Sequence, residues 1–100
     1  MFGAEKMIYV LTIQKIEDYD KWKKEFDEHG DVRKTKGSKG ATIYRNSNDP
    51  KHLVVITEWE NIEAAKNFSL GEDLKIAMKK AGVIGLPELH FLEEIEKTEY

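Results

Sequence analysis

Residues 18 to about 33, DYDKWKKEFDEHGDVR, constrain the fold more than any other stretch of the chain. At about 100° per residue, Tyr19, Trp22, Phe26, His29 and Arg33 fall on one narrow helical stripe, while Asp20, Lys23, Lys24, Asp27, Glu28 and Asp31 form a charged opposite face. Three aromatic rings on one stripe require an apolar cover, and the strands elsewhere in the chain point to an antiparallel sheet as that cover. Asp18 suits the N-cap, with its carboxylate at the positive end of the helix. Gly30 is the weak point, costing about 1 kcal/mol in a helix interior, and a helix stop there is the alternative to one that continues to Arg33.

The strand signals explain what the helix packs on. Residues 7–15, MIYVLTIQK, alternate Met7, Tyr9, Leu11 and Ile13 on one face with Ile8, Val10, Thr12 and Gln14 on the other. Residues 52–59, HLVVITEW, set Leu53, Val55, Thr57 and Trp59 against Val54, Ile56 and Glu58. Both faces of both strands are largely apolar, so both faces of the sheet need covering. Residues 41–46 form the partner strand of a hairpin whose loop of four or five residues contains Ser47, Asn48, Asp49 and Pro50. Residues 31–40 read as a polar loop, which makes the basic cluster Arg33, Lys34, Lys36 and Lys39 a solvated connection.

In the second half, Asn61 caps a helix through Phe68 with Ile62, Ala65 and Phe68 inward. Ser69 and Glu72 have capping-box spacing for a further helix, with Leu74, Ala77, Met78 and Ala81 on its apolar face and Gly82 as the left-handed cap. Gly85 and Pro87 interrupt the chain before a last strand over residues 89–96, followed by a charged tail. The order is β-α-β-β-α-β, an α+β, ferredoxin-like arrangement of four antiparallel strands with helices on one face. The uncovered face predicts a homodimer packed sheet on sheet.

Composition narrows function mainly by exclusion. One hundred residues, 40% hydrophobic and 35% charged, suit a single domain spanning 1–100 with its core over about 7–96. A net charge of −3 without a clustered basic surface argues against a nucleic-acid partner, and the aliphatic third strand lacks the exposed aromatics an RNA-binding sheet uses. The chain has no cysteine, and MFGAEK lacks the apolar core of a signal peptide, so the expected setting is cytoplasmic, without membrane insertion. His29, His52 and His90 do not have metal-ligand spacing, and no phosphate loop or nucleophile elbow is present.

Three segments, IEDYDKWKKEFDEHGDVRK, VITEWENIEAAKNF and GVIGLPELHFLEE, together resemble the dimeric α+β barrel superfamily, within it the small antibiotic biosynthesis monooxygenase domains. The resemblance implies two ferredoxin-like subunits packed sheet on sheet, each with a small-molecule pocket between helices and sheet. It also implies activities ranging over cofactor-independent monooxygenation, aromatic cyclisation, lactone isomerisation and haem degradation. Trp59 matches a tryptophan that lies at the pocket in the haem-degrading branch. That branch also has an asparagine on the first strand and a histidine on the helix after the tryptophan, and this chain has neither.

Candidate site residues follow from the residue chemistry. His29 suits a general base acting on a phenol or carbon acid, and equally suits a cation at the negative end of a helix. Arg33 suits a clamp for an enolate or carboxylate oxygen, with His90 as the other candidate for that role. Trp22 and Trp59 would stack on a flat ligand or belong to the core, and Tyr9, Tyr44 and His90 reach the cavity if their strand faces point that way. A non-catalytic binding or structural dimer is the competing class.

Overall fold

The computed structural model describes residues 7–100; the N-terminal hexapeptide read as lacking a leader lies outside them. Strand β1 (Ile8–Ile16) leads into helix α1 (Tyr19–Glu28), a short helix α2 (Gly30–Lys36), and the hairpin of β2 (Ser38–Asn46) and β3 (Asp49–Trp59). Helices α3 (Ile62–Ser69) and α4 (Glu72–Lys80) then precede β4 (Val83–Glu93). The strands form one antiparallel sheet in the order β2-β3-β1-β4, the ferredoxin-like order expected, with β1 and β3 central.

The Asp18 and Asn61 signals at the helix starts act as read. The Asp18 carboxylate accepts from the Lys21 N–H at 2.9 Å, and the Asn61 side chain accepts from the Ala64 N–H at 2.8 Å. Gly82, at φ 85°, follows α4 in the left-handed conformation, and its carbonyl accepts from the Glu17 N–H at 3.0 Å, closing that end of β1.

Several expectations need correction. Residues 31–36 are helical, because His29 (φ −88°, ψ 1°) breaks the hydrogen-bond ladder only once and nothing from Asp31 to Lys36 forbids a restart. The basic cluster therefore sits largely in the last turn of α2, where cations face the negative helix end. Gly37 (φ 114°) turns the chain directly into β2, and a Cβ there would stand 3.4 Å from the Ala64 Cβ. The β2–β3 turn is two residues, Ser47 and Asn48, with register shifts absorbing the difference. Ile62 is exposed, and α4 starts from Gly71 with no side-chain cap, so the expected capping box at Ser69 does not form.

Strand β4 runs through the Gly85–Pro87 region, where the sequence predicts a break. Ile13 pairs with Glu88 and Lys15 with Ile84, so a bulge takes up the extra residues. An edge strand tolerates both Gly85 (φ 71°) and a proline without an N–H, because one side of it has no ladder to complete. The strand ends at Glu93 and not at 96.

Two buried clusters separate sheet from helices. Ile16, Trp22, Leu53, Val55 and Ala81 pack at one end, and Ile8, Val10, Trp59 and Ala65 at the other. Pairing register places Tyr9, Leu11, Ile13, Tyr44, Val54, Ile56, Glu58, Glu88, His90 and Leu92 together on the opposite, helix-free face. Tyr44 and Leu92 are exposed there, and Leu11, Ile13, Val54 and Ile56 are half-buried.

Candidate functional site

Between the two clusters the helices do not close fully on the sheet, leaving a cavity of about 60 Å³. Val10, Thr12, Gln14, Val55 and Thr57 form its floor on β1 and β3. Trp22, Phe26 and His29 line it from the α1 side, Arg33 from α2, and Phe68, Leu74, Ala77 and Met78 from α3 and α4. The lining is mostly apolar with a few polar atoms, the usual character of a small-molecule site, though the volume lies below the roughly 300–1,000 Å³ of most such sites.

The helix break sets the polar end. Because α1 ends at Glu28, His29 is a hinge residue, and its ring lies 5.7 Å from the Phe68 ring. Burial and then the neighbouring Arg33 hold its pKa below the ordinary 6.5, against a weaker opposite pull from Asp73 and Glu25. A neutral imidazole at neutral pH can accept a proton.

Arg33 reaches back across the break. Its Nη1 donates to the Phe26 carbonyl oxygen at 2.8 Å, and its guanidinium carbon lies 3.6 Å from the Phe26 ring centroid. That carbonyl belongs to the last turn of α1, where intrahelical donors run out. The contact explains why a helix broken at His29 still presents His29 and Arg33 to one cavity. Burial lowers the Arg33 pKa, and a guanidinium so placed remains cationic.

Of the sequence-derived candidates, His29, Arg33 and Trp22 come together on the cavity wall. Trp22 is buried and stacks on Phe26 with centroids 4.9 Å apart. Trp59 does not line the cavity. It is fully buried against Phe68, at 5.0 Å between centroids, and its indole N–H donates to the Thr57 hydroxyl oxygen at 2.7 Å. Its influence on the cavity runs through Thr57, whose hydroxyl it holds. Tyr9, Tyr44 and His90 face the other side of the sheet, because the two-residue alternation of each strand pairs them with Leu11, Val54 and Leu92 instead of Val10 and Val55. His90 there contacts Glu88 at 2.8 Å.

Sequence reasoning missed Thr12, Gln14, Thr57 and Ser69 as cavity residues. A usable signal existed: Thr12 and Gln14 share the strand face of Val10, so a core-facing face turns polar toward one end. Among the described residues, no three His, Asp or Glu side chains group as metal ligands would, and no helix is long and apolar enough to cross a membrane.

The sequence matches no protein-family profile and no curated protein. Solved structures do match over nearly the whole chain. An antibiotic biosynthesis monooxygenase-like protein from Bordetella bronchiseptica superposes with a TM-score of 0.76 at 13% identity, covering 91% of this chain and 99% of that one. SnoaB, a cofactor-independent oxygenase from Streptomyces nogalater, gives a TM-score of 0.75 at 10% identity over 95% of this chain and 99% of its own. The fold is that of the antibiotic biosynthesis monooxygenase-like α+β barrel subunits. ActVA-Orf6, a monooxygenase from Streptomyces coelicolor solved with nanaomycin D, shares it at a TM-score of 0.65 and 17% identity, with 96% and 94% coverage. At these identities the likeness establishes the fold, and the chemistry of this chain has to be argued from its own residues.

Proposed function

We propose that the chain is a homodimeric, cofactor-independent monooxygenase acting on a small phenolic or enolisable aromatic molecule held in the cavity of each protomer. The observation that carries this reading is the pairing of a half-buried histidine, kept toward its neutral form, with a fixed guanidinium on the wall of an otherwise apolar cavity. The fold shared with a cofactor-independent oxygenase supports it. The apolar helix-free face supports the dimer, since a second copy would cover Leu11, Val54, Ile56 and Tyr44. The charge-rich, cysteine-free composition suits a cytoplasmic setting.

In this reading His29 removes the substrate's phenolic or enolic proton, and the positive charge of Arg33 stabilises the oxyanion that results. The electron-rich anion then reduces dioxygen. One oxygen atom is retained on the ring as a new carbonyl, the other leaves as water, and the phenol is oxidised to a quinone. Apolar walls exclude bulk water from the anion, which strengthens its interaction with Arg33.

The test is oxygen consumption with a panel of hydroxynaphthalenes and anthrones, comparing the native chain with His29→Ala. A loss of about 100-fold to 10,000-fold is expected for removal of the general base. Unchanged turnover would remove His29 from the mechanism. The small cavity volume favours one competing reading, a non-catalytic dimer whose cavity is filled by its own aromatics; ligand binding without oxygen consumption by any panel member would select it.

A further inference from the structure

The reading above leaves one buried polar group unused. Gln14 is 5% exposed, lies on the cavity floor, and its Oε1 has no hydrogen-bond partner. Leaving such an acceptor unpaired costs about 1–3 kcal/mol, so a group of this kind calls for a role. Its surroundings define what it can bind. Gln14 pairs in register with the fully buried Leu53, and the cluster at that end of the sheet contains Trp22 and Ala81. The titratable residues of the cavity are Glu25, His29 and Arg33, and His29 lies seven residues beyond Trp22, roughly 10 Å further along the helical path at 1.5 Å per residue.

We infer that Gln14 positions the ligand at the end of the cavity remote from His29, and that the occupant is a flat ring system presenting an uncharged hydroxyl or N–H donor to the Gln14 carbonyl oxygen. This rests on the proposed binding of an aromatic molecule and adds its polarity and orientation. A carboxylate at the Gln14 end would meet an acceptor and apolar walls, with no cation beside it, and would carry the penalty of a buried unpaired charge. A neutral donor satisfies Oε1 and leaves the ring between apolar side chains. The acidic proton then lies at the opposite pole, toward His29 and Arg33.

The experiment is a calorimetric titration of the intact protein under argon, so that no turnover occurs, with 1-naphthol, 1-methoxynaphthalene and naphthalene. The native chain should bind 1-naphthol about tenfold more tightly than the other two, the value of one hydrogen bond to a buried neutral acceptor. Gln14→Met, close in shape and without the acceptor, should bind all three alike while its melting temperature stays the same or rises. A native chain that does not discriminate among the three overturns the inference, and so does a preference that survives in Gln14→Met; in both cases the cavity reading stands. Absence of binding by all three overturns the inference and the cavity reading together. The same three ligands titrated against His29→Ala keep the test independent of the folding of Gln14→Met: a preference for 1-naphthol that persists there places the hydroxyl at Gln14, and one that disappears places it at His29 and overturns the inference.

Discussion

The Arg33 guanidinium caps the Phe26 carbonyl oxygen at 2.8 Å and covers the Phe26 ring at 3.6 Å, joining two helices that the chain separates at His29. One side chain thereby does for α1 and α2 what a continuous helix would have done. It holds His29 at the cavity and supplies a positive charge beside it.

Removing that tie should loosen the site and the fold together. A charge-assisted hydrogen bond combined with a cation–π contact at a half-buried position predicts that Arg33→Ala destabilises the chain by about 2 kcal/mol, read from urea denaturation. Arg33→Lys should recover less than half of this, because an ammonium cannot donate to the carbonyl and cover the ring in the same fork geometry. Nuclear magnetic resonance titration should show the His29 pKa rising in Arg33→Ala, since one of the two causes that lower it is gone.

The lowered His29 pKa also makes stability depend on pH. In the unfolded chain the imidazole protonates near 6.5, and in the folded chain it does so only at lower pH. Between those values the unfolded state binds more protons, so this contribution to stability is complete above about pH 6.5 and is lost as the pH falls through the folded value. His29→Gln should flatten the slope of melting temperature against pH just below 6.5. An unchanged slope would assign the dependence to other groups.

Trp59 tests whether the cavity floor is set from behind. Trp59→Phe retains a ring against Phe68 but removes the N–H that holds the Thr57 hydroxyl. A loss of about 2 kcal/mol in stability is expected from the missing hydrogen bond and the smaller ring. Affinity for ring ligands should fall as well, although Trp59 does not line the cavity. Thr57→Val, which removes the same partner while leaving the indole in place, should reproduce the binding effect with a smaller stability loss.

The helix-free face provides the assembly prediction. Thr42, Ile56, Leu11 and His90 form one row across all four strands, and Tyr44, Val54, Ile13 and Glu88 the next. Sedimentation equilibrium at micromolar concentration should give twice the 11.6 kDa chain mass. Ile56→Asp, at the centre of the face, should give the single-chain mass, because a carboxylate buried there has no cationic partner on its strand neighbours Leu11 and Thr42. A native chain that sediments at 11.6 kDa would remove the dimer.

The features that the sequence by itself determined are those carried by short-range chemistry. Asp18, Asn61 and Gly82 mark helix ends because their side chains, or the lack of one, act within three or four residues. The two faces of β1 and β3 were legible because alternation is local, and with the chain order they pointed to a sheet with one uncovered face; which face met the helices was not, so Tyr9, Tyr44 and His90 stayed candidates for a cavity on the other side. Tertiary structure alone decided the rest. The segment from Asp31 to Lys36 carries almost no apolar pattern, and its helix depends on contacts such as that of Arg33 with Phe26. Gly85 and Pro87 lie within a strand because β4 is an edge, and edge position is a property of the whole sheet. Trp59 packs in the core and Gln14 lines the cavity for the same reason: which of two inward-facing residues meets a cavity and which meets packed side chains depends on where the helices fall short of closing on the sheet, and no local pattern encodes that gap.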